Sequence, residues 1–307
     1  MALTLLEMAK TADEPTSAVI EVYAQETDLL AHLPFETITG LAYPYNQEQS
    51  LPSVGFRGLN EAFSEATGVL NPQVETLAIA GGDLDVDVAL VNAYGPARRA
   101  RETMMKVKSL SHSIGHNLIK GDTATTQKGI DGLQKRCVGS QLVAAGATSG
   151  GDALSLYLLD KQIRKTYGAT HLLMSTAMAA RFGQAARTTT VGGYITFQQD
   201  QFGRQQMIYG NLPILIADRV VDVNSSLAFD ESNPGGGSAV GTSVYILGIG
   251  PGLVSGIQSA APRVTDLGEQ NAKPVYRTRV EWLVGMVIEH PYCASRIYGI
   301  KDAAIVA

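Results

Sequence analysis

Cysteine is scarce: Cys137 and Cys293 are the only two in 307 residues. Two are too few for a disulfide framework or a zinc cluster, which fits a reducing compartment. Long apolar runs are missing as well, and no window reaches the roughly 18 residues that a membrane helix needs. The N-terminus, MALTLLEMAKTADEPTSAV, carries Glu7 and Lys10 where a signal peptide has a basic start and then an apolar stretch. A soluble, non-secreted protein is expected. Signatures of catalysis are also lacking. There is no Walker A loop, no G-x-S-x-G elbow and no paired-cysteine metal motif. Basic residues are not interleaved with aromatics in the manner of a base-stacking surface. The sequence therefore predicts no enzyme, no cofactor and no metal. Lysine, finally, is absent between Lys10 and Lys106.

Hydrophobic residues make up 45% of the chain, ample for a core, and the length suits one or two domains. The net charge of −5 hides an uneven distribution. Residues 1–95 hold fourteen Asp and Glu against Lys10 and Arg57, a net −12. The remainder carries 22 Lys and Arg against 15 Asp and Glu, or +7. Opposite fields of this kind can pair copies of a chain head to tail, or pair the two parts within one chain. The pattern fits both.

Residues 1–39 are amphipathic, with apolar Val19, Ile20, Tyr23, Leu29, Leu30 and Leu33, and predict one or two short helices. Residues 40–80 are broken by Pro44, Pro52, Pro72 and four glycines and show no helical period. So long a segment with little core of its own packs on something else or stays mobile. Next, Gly95-Pro96 opens a helix over 96–119, with Ala100, Met104, Val107, Ser111, Ile114 and Leu118 in one narrow stripe. At 1.5 Å per residue it is a rod of about 36 Å. The stretch 123–258 reads as mixed α/β, with a hairpin turning near Phe202-Gly203-Arg204. Residues 274–291 alternate with period two, Tyr276, Thr278, Val280, Trp282, Val284, Met286 and Ile288 on one face and Arg277, Arg279 and Glu281 on the other. That implies a strand of up to roughly 50 Å. A long rod and a long strand make an elongated molecule.

Three stretches invite a chemical reading. In GGDLDVDVALV (81–91), Asp83, Asp85 and Asp87 occupy alternate positions. A calcium loop needs glycine right after the third acidic position and glutamate at the twelfth. Val88 and Tyr94 stand there, so the run reads as one face of a half-buried strand. Gly248-Ile249-Gly250-Pro251-Gly252 misses the dinucleotide fingerprint at Leu253, and Pro251 removes an N–H that a phosphate cradle uses. A tight loop is expected. His112 and His116 stand four apart on the rod without a glutamate between or a third ligand, which predicts a surface or interface pair.

The order of parts resembles one family. LLAHLPFETITGLAYPYN (29–46), FRGLNEAFSEATG (56–68), GGDLDVDVALV (81–91), GIDGLQKR (129–136) and KPVYRTRVEWLVGMVIEHPYCASRIYGI (273–300) together resemble the tailed-bacteriophage major capsid proteins, whose fold encapsulins share. The resemblance implies an α+β fold. Residues 1–39 become an N-terminal arm, and 40–80 an extended loop laid over a neighbouring subunit. A peripheral domain comes from 81–122, with the rod as spine helix, and from 259–307; an axial α/β domain comes from 123–258. It further implies pentamers and hexamers forming an icosahedral shell around double-stranded DNA, with a cargo-holding encapsulin as the alternative. Assembly is expected in the host cytoplasm, ending in the virion. Separate scaffolding, portal and decoration proteins are expected partners, because no scaffolding extension precedes the arm. Some members weld the shell through a lysine of the extended loop, and this loop has none. Candidate interface residues are Arg57, Glu61 and Glu65 on the loop and Arg98, Arg99 and Arg101 on the rod. Asp83, Asp85 and Asp87 are expected to share a sheet face with Arg277 and Arg279.

Overall fold

The computed structural model describes residues 2–10, 14–187, 193–199, 203, 205–217, 226–238 and 240–306. The arm holds α1 (Leu5–Ala9), which the sequence did not indicate, and then two helices over the apolar stretch 17–33, α2 (Glu14–Glu26) and α3 (Asp28–His32). Thr4 and Glu7 close α1 with a capping box, and Thr27 breaks the chain between α2 and α3 in extended conformation. The arm ends in β1 (Phe35–Thr37). A hairpin of β2 (Ala42–Ser50) and β3 (Val69–Thr76) follows, then β4 (Ala78–Asp87), α4 (Val88–Tyr94) and the long α5 (Ala97–Lys120). The middle contains α6 (Leu133–Arg136), β5 (Leu142–Ala144), α7 (Leu156–Lys165), β6 (His171–Met174) and α8 (Thr176–Ala185). After β7 (Ile195–Gln199), β8 (Gln205–Tyr209) and β9 (Leu212–Ile216) the chain closes with β10 (Thr242–Leu247), β11 (Val254–Gln258), β12 (Arg263–Glu269), β13 (Val275–Ile288) and β14 (Ala294–Ile300). In the β7–β8 turn, Gly203 takes a positive φ of 73°; Phe202 and Arg204 lie outside the described residues.

Two larger sheets organise these elements. The first runs β1-β11-β13-β12, with β4 also paired to β13; the second runs β5-β14-β10-β6-β9-β8-β7. The sequence reading split the closing strands at 258/259, and the sheets divide differently. β11, before that point, belongs to the first sheet, and β14, well after it, lies between β5 and β10 in the second. The reason is burial: six of the seven residues of β14 are buried, which suits the middle of a sheet.

One core joins the arm, α5 and the inner face of the first sheet. Val107, Ser111, Ile114 and Leu118 of the expected stripe are buried, joined by Leu110, Gly115 and Ile119. Ala100 and Met104, on the same stripe, are exposed, because α2 and β12 leave an open groove over those first turns. Trp282 is 1% exposed, meets Tyr23 edge-on and Phe35 at a tilt, and its Nε1 donates to Gln258 Oε1 at 3.1 Å. The arm is threaded back by β1, which pairs with β11 at Gly256. A Cβ there would sit 2.3 Å from the Phe35 ring, so only glycine fits. A separate core lies between the second sheet and α7 and α8.

The aspartate strand is shorter than the sequence suggested. It stops at Asp87, whose side chain caps α4, so Val88 starts a helix instead of continuing the alternation.

Candidate assembly surface

The β2–β3 hairpin is anchored at its root and bare at its tip. At the root the Tyr43 hydroxyl donates to Glu289 at 2.9 Å, and Gln47 Nε2 donates to the Ile288 carbonyl at 2.9 Å. Arg136 from α6 grips Glu75 with both guanidinium nitrogens, Nη2 at 2.7 Å. Burial, with the bond to Glu289, pushes the Tyr43 hydroxyl up to about 12. Tyr43 and Tyr45 pack with Leu283 over Leu77, Ile257 and Val287, which buries the second face of the C-terminal half of β13. The tip, residues 51–68, has no comparable cover. Val54, Phe56 and Leu59 are at least 95% exposed, and Leu51 and Phe63 are exposed too. Local bonds shape it. Asn60 adopts a left-handed φ of 66°. Gly58 N–H donates to Glu61 Oε2 at 2.9 Å, and Arg57 donates to the Glu61 carbonyl at 3.2 Å while lying 5.1 Å from the Phe63 ring. Glu65 is exposed and makes no ion pair among the described residues.

On the outer face of the first sheet, β4 and β13 run antiparallel with Asp83 opposite Arg279 and Asp85 opposite Arg277. Both pairs are bidentate: Arg279 Nε and Nη2 lie 2.7 and 3.0 Å from the Asp83 oxygens, and Arg277 Nε and Nη2 lie 2.6 and 2.7 Å from those of Asp85. These hydrogen bonds hold both carboxyls below the usual carboxylate range. Asp87 shares the face but stands opposite Val275, and its Oδ1 accepts the Ala89 N–H at 2.7 Å instead.

The three arginines of α5 separate in role. Arg98 Nε binds Glu102 one turn along at 2.7 Å. Arg99 crosses to the sheet, where it pairs with Asp266, donates to Thr278 Oγ1 at 2.9 Å and lies 5.2 Å from the Tyr276 ring. Arg101 is exposed and makes no ion pair among the described residues. Beside them an open groove of about 440 Å³ runs between α2, the first turns of α5 and β12, walled by Val19, Ala100, Met104 and Val264. Further along the rod, Glu26 of α2 binds Lys108 at 2.8 Å and lies 3.6 Å from His112.

An exposed apolar tip on an anchored hairpin, facing no core of its own, marks an interaction surface. The comparison with known families decides of what kind: the sequence profile described as Major capsid protein GP7 matches residues 11–170, just over half of the chain. The chain belongs to this capsid-protein family. No curated protein sequence matches the capsid protein, whereas solved structures share its fold. The holo-SrpI encapsulin complex from Synechococcus elongatus PCC 7942 gives a TM-score of 0.67 at 14% identity, covering 91% of this chain and 89% of that one. The capsid of a native GTA particle gives 0.60 at 13% identity over 89% of both chains. A chain of Mycobacterium phage Adephagia gives 0.63 at 10% identity, over 89% of this chain and 90% of that one. The fold is that of phage capsids and encapsulins.

A capsid protein builds a shell from copies of itself, so its working parts are its own surfaces. The anchors at the hairpin root, Tyr43, Gln47, Glu75, Arg136 and Glu289, were not singled out by sequence. The period-two set Tyr43, Tyr45, Gln47 was the available signal, since these alternate residues face inward along β2. Their partners lie far away in the chain and carry no local mark.

Proposed function

We propose that this capsid protein assembles as pentamers and hexamers into the icosahedral head of a tailed phage and encloses its double-stranded DNA. The bare hairpin tip carries the reading. Burying a phenylalanine or leucine side chain such as Phe56, Leu59 or Phe63 is worth roughly 1.5–3 kcal/mol each, less the cost of ordering the tip. Repeated around a closing shell, such contacts become effectively intramolecular and sum to a stable wall. The arm (1–39), extended loop (40–80), peripheral segments (81–122 and 259–307) and axial unit (123–258) divide the work, with β14 tying the last segment to the axial unit as well. The tip lands on the first turns of a neighbour's α5. There the open groove takes an aromatic ring, and Arg101 meets Glu61 or Glu65. Arg98 and Arg99 are already engaged within their own chain, which leaves Arg101 as the receiver. The hairpin offers no lysine, so the wall is held without a covalent weld. Scaffolding, portal and decoration functions fall to separate proteins during assembly in the host cytoplasm. A net negative chain suits a container past which DNA must slide.

The fold likeness to the SrpI encapsulin favours a second reading, a compartment that holds cargo enzyme. Expression of the chain, followed by size exclusion, negative stain and analysis of nuclease-protected contents, separates the two. Closed shells that take up nuclease-resistant DNA with the other head components support the phage head. Shells that enclose protein support the compartment. A chain that stays monomeric under all conditions sinks both.

A further inference from the structure

His32 of α3 and His171 of β6 come from distant parts of the sequence, yet their rings stand 5.3 Å apart at 60°. Each ring has a hydrogen-bond partner at Nδ1. His32 Nδ1 lies 2.9 Å from the Asp28 carbonyl, which can only accept, so the proton is on Nδ1. His171 Nδ1 lies 2.8 Å from Thr170 Oγ1. That hydroxyl accepts the Ile249 N–H and lies 3.2 Å from the Leu247 carbonyl; when it gives its proton to that carbonyl, Nδ1 of His171 donates to it. The lone pair is therefore on Nε2 in His32, and in His171 it is on Nε2 in the tautomer that donates to Thr170. A histidine whose Nδ1–H is fixed by an oxygen acceptor is a ring oriented as metal-binding histidines are. With metal–nitrogen bonds of about 2.0–2.1 Å, two imidazoles on one tetrahedral ion place their ring centres about 5 Å apart. Both side chains are half-buried, so solvent reaches the pair.

We propose that His32 and His171 form a two-histidine site for a divalent transition metal such as zinc or nickel, pinning the arm to the second sheet. Among the described residues no cluster of three or more His, Cys, Asp or Glu could hold a metal ion, so water completes the coordination. The position gives the site a mechanical consequence. α3 already touches the second sheet through Asp28 Oδ2, which accepts the Ile216 N–H at 3.1 Å. A metal bridge next to that bond would couple the arm to the α/β unit.

The test is titration of nickel and of zinc into the untagged, metal-free full chain, read by calorimetry and by the unfolding temperature. One saturable site is expected, with a raised unfolding temperature. Its affinity should fall at least tenfold in His32→Gln and in His171→Gln and stay unchanged in His112→Gln. Because a glutamine variant could perturb the arm, His171→Cys provides a second check: it retains a zinc ligand and should bind zinc more tightly than His171→Gln. No saturable binding, wild-type affinity in both glutamine variants, or loss only in His112→Gln overturns the proposal.

Discussion

Asp83 and Asp85 each face one arginine across the β4–β13 boundary, at the solvent-facing surface of the sheet. Pairs so placed fix strand register more than they add stability, because solvent and salt screen them. Arg99 and Arg101 stand two positions apart on one helix and differ in what they touch. Arg101→Glu should therefore leave the unfolding temperature unchanged while slowing particle formation, followed by light scattering. Arg99→Glu should lower both, since it also removes the bonds to Asp266 and Thr278. The cysteines behave as small apolar groups. Burial pushes both thiols up to about 12, far from the thiolate that thiol reagents attack. Neither Cys137 nor Cys293 should label with a thiol reagent in the folded chain at pH 8, and both should label after denaturation. The sign for stability follows from the same shift. The folded state keeps the neutral thiol, so the contribution is full below the unfolded value of about 8.5. It is lost as pH climbs from there towards about 12.

Two elements carry the frame, α5 and β13, and both were visible in the sequence because their periods are long and regular. β13 spans 14 residues with Thr278, Val280, Trp282, Val284, Met286 and Ile288 on the buried side. Trp282 is where the arm, β11 and β13 meet, so Trp282→Ala should cost about 3–5 kcal/mol in chemical denaturation. A loss below about 1 kcal/mol would mean that the arm packs elsewhere. Periodicity reported the chemistry of each face but not what covers it. Ala100 and Met104 continue the α5 stripe in sequence and still lie exposed, because they line an open groove beside α2 and β12. Val88 continues the alternation of β4, yet the Asp87 cap overrides it and starts α4. Strand partners were harder still. The facing of Asp83 and Asp85 with arginines could be guessed from two alternating faces, whereas β14 entering between β5 and β10 has no local signature. The His32–His171 pair was invisible for the same reason, being a product of tertiary approach alone.

At the scale of the molecule, two large sheets contribute to one core with the arm and α5, and a hairpin reaches out from the first of them. If the tip bonds only between copies, removing its apolar side chains should separate folding from assembly. The variant Phe56→Ser, Leu59→Ser, Phe63→Ser should unfold at the same denaturant midpoint as the wild type and yield no particles in negative stain. A lowered midpoint would show that the tip packs on its own chain. The strand order also bears on how the protein is made. β13 pairs with β4, β11 and β12, and β14 lies between β5 and β10, so residues 275–300 complete both sheets. While those residues are still inside the ribosome, β4 has no neighbour and β5 is cut off from β10. A chain in which residues 275–300 have not yet folded therefore has neither sheet complete, and is expected to enter no shell until they pair. Chains broken off upstream of β13 lack the same pairings and are expected to stay out of the wall, a built-in selection for chains that carry residues 275–300.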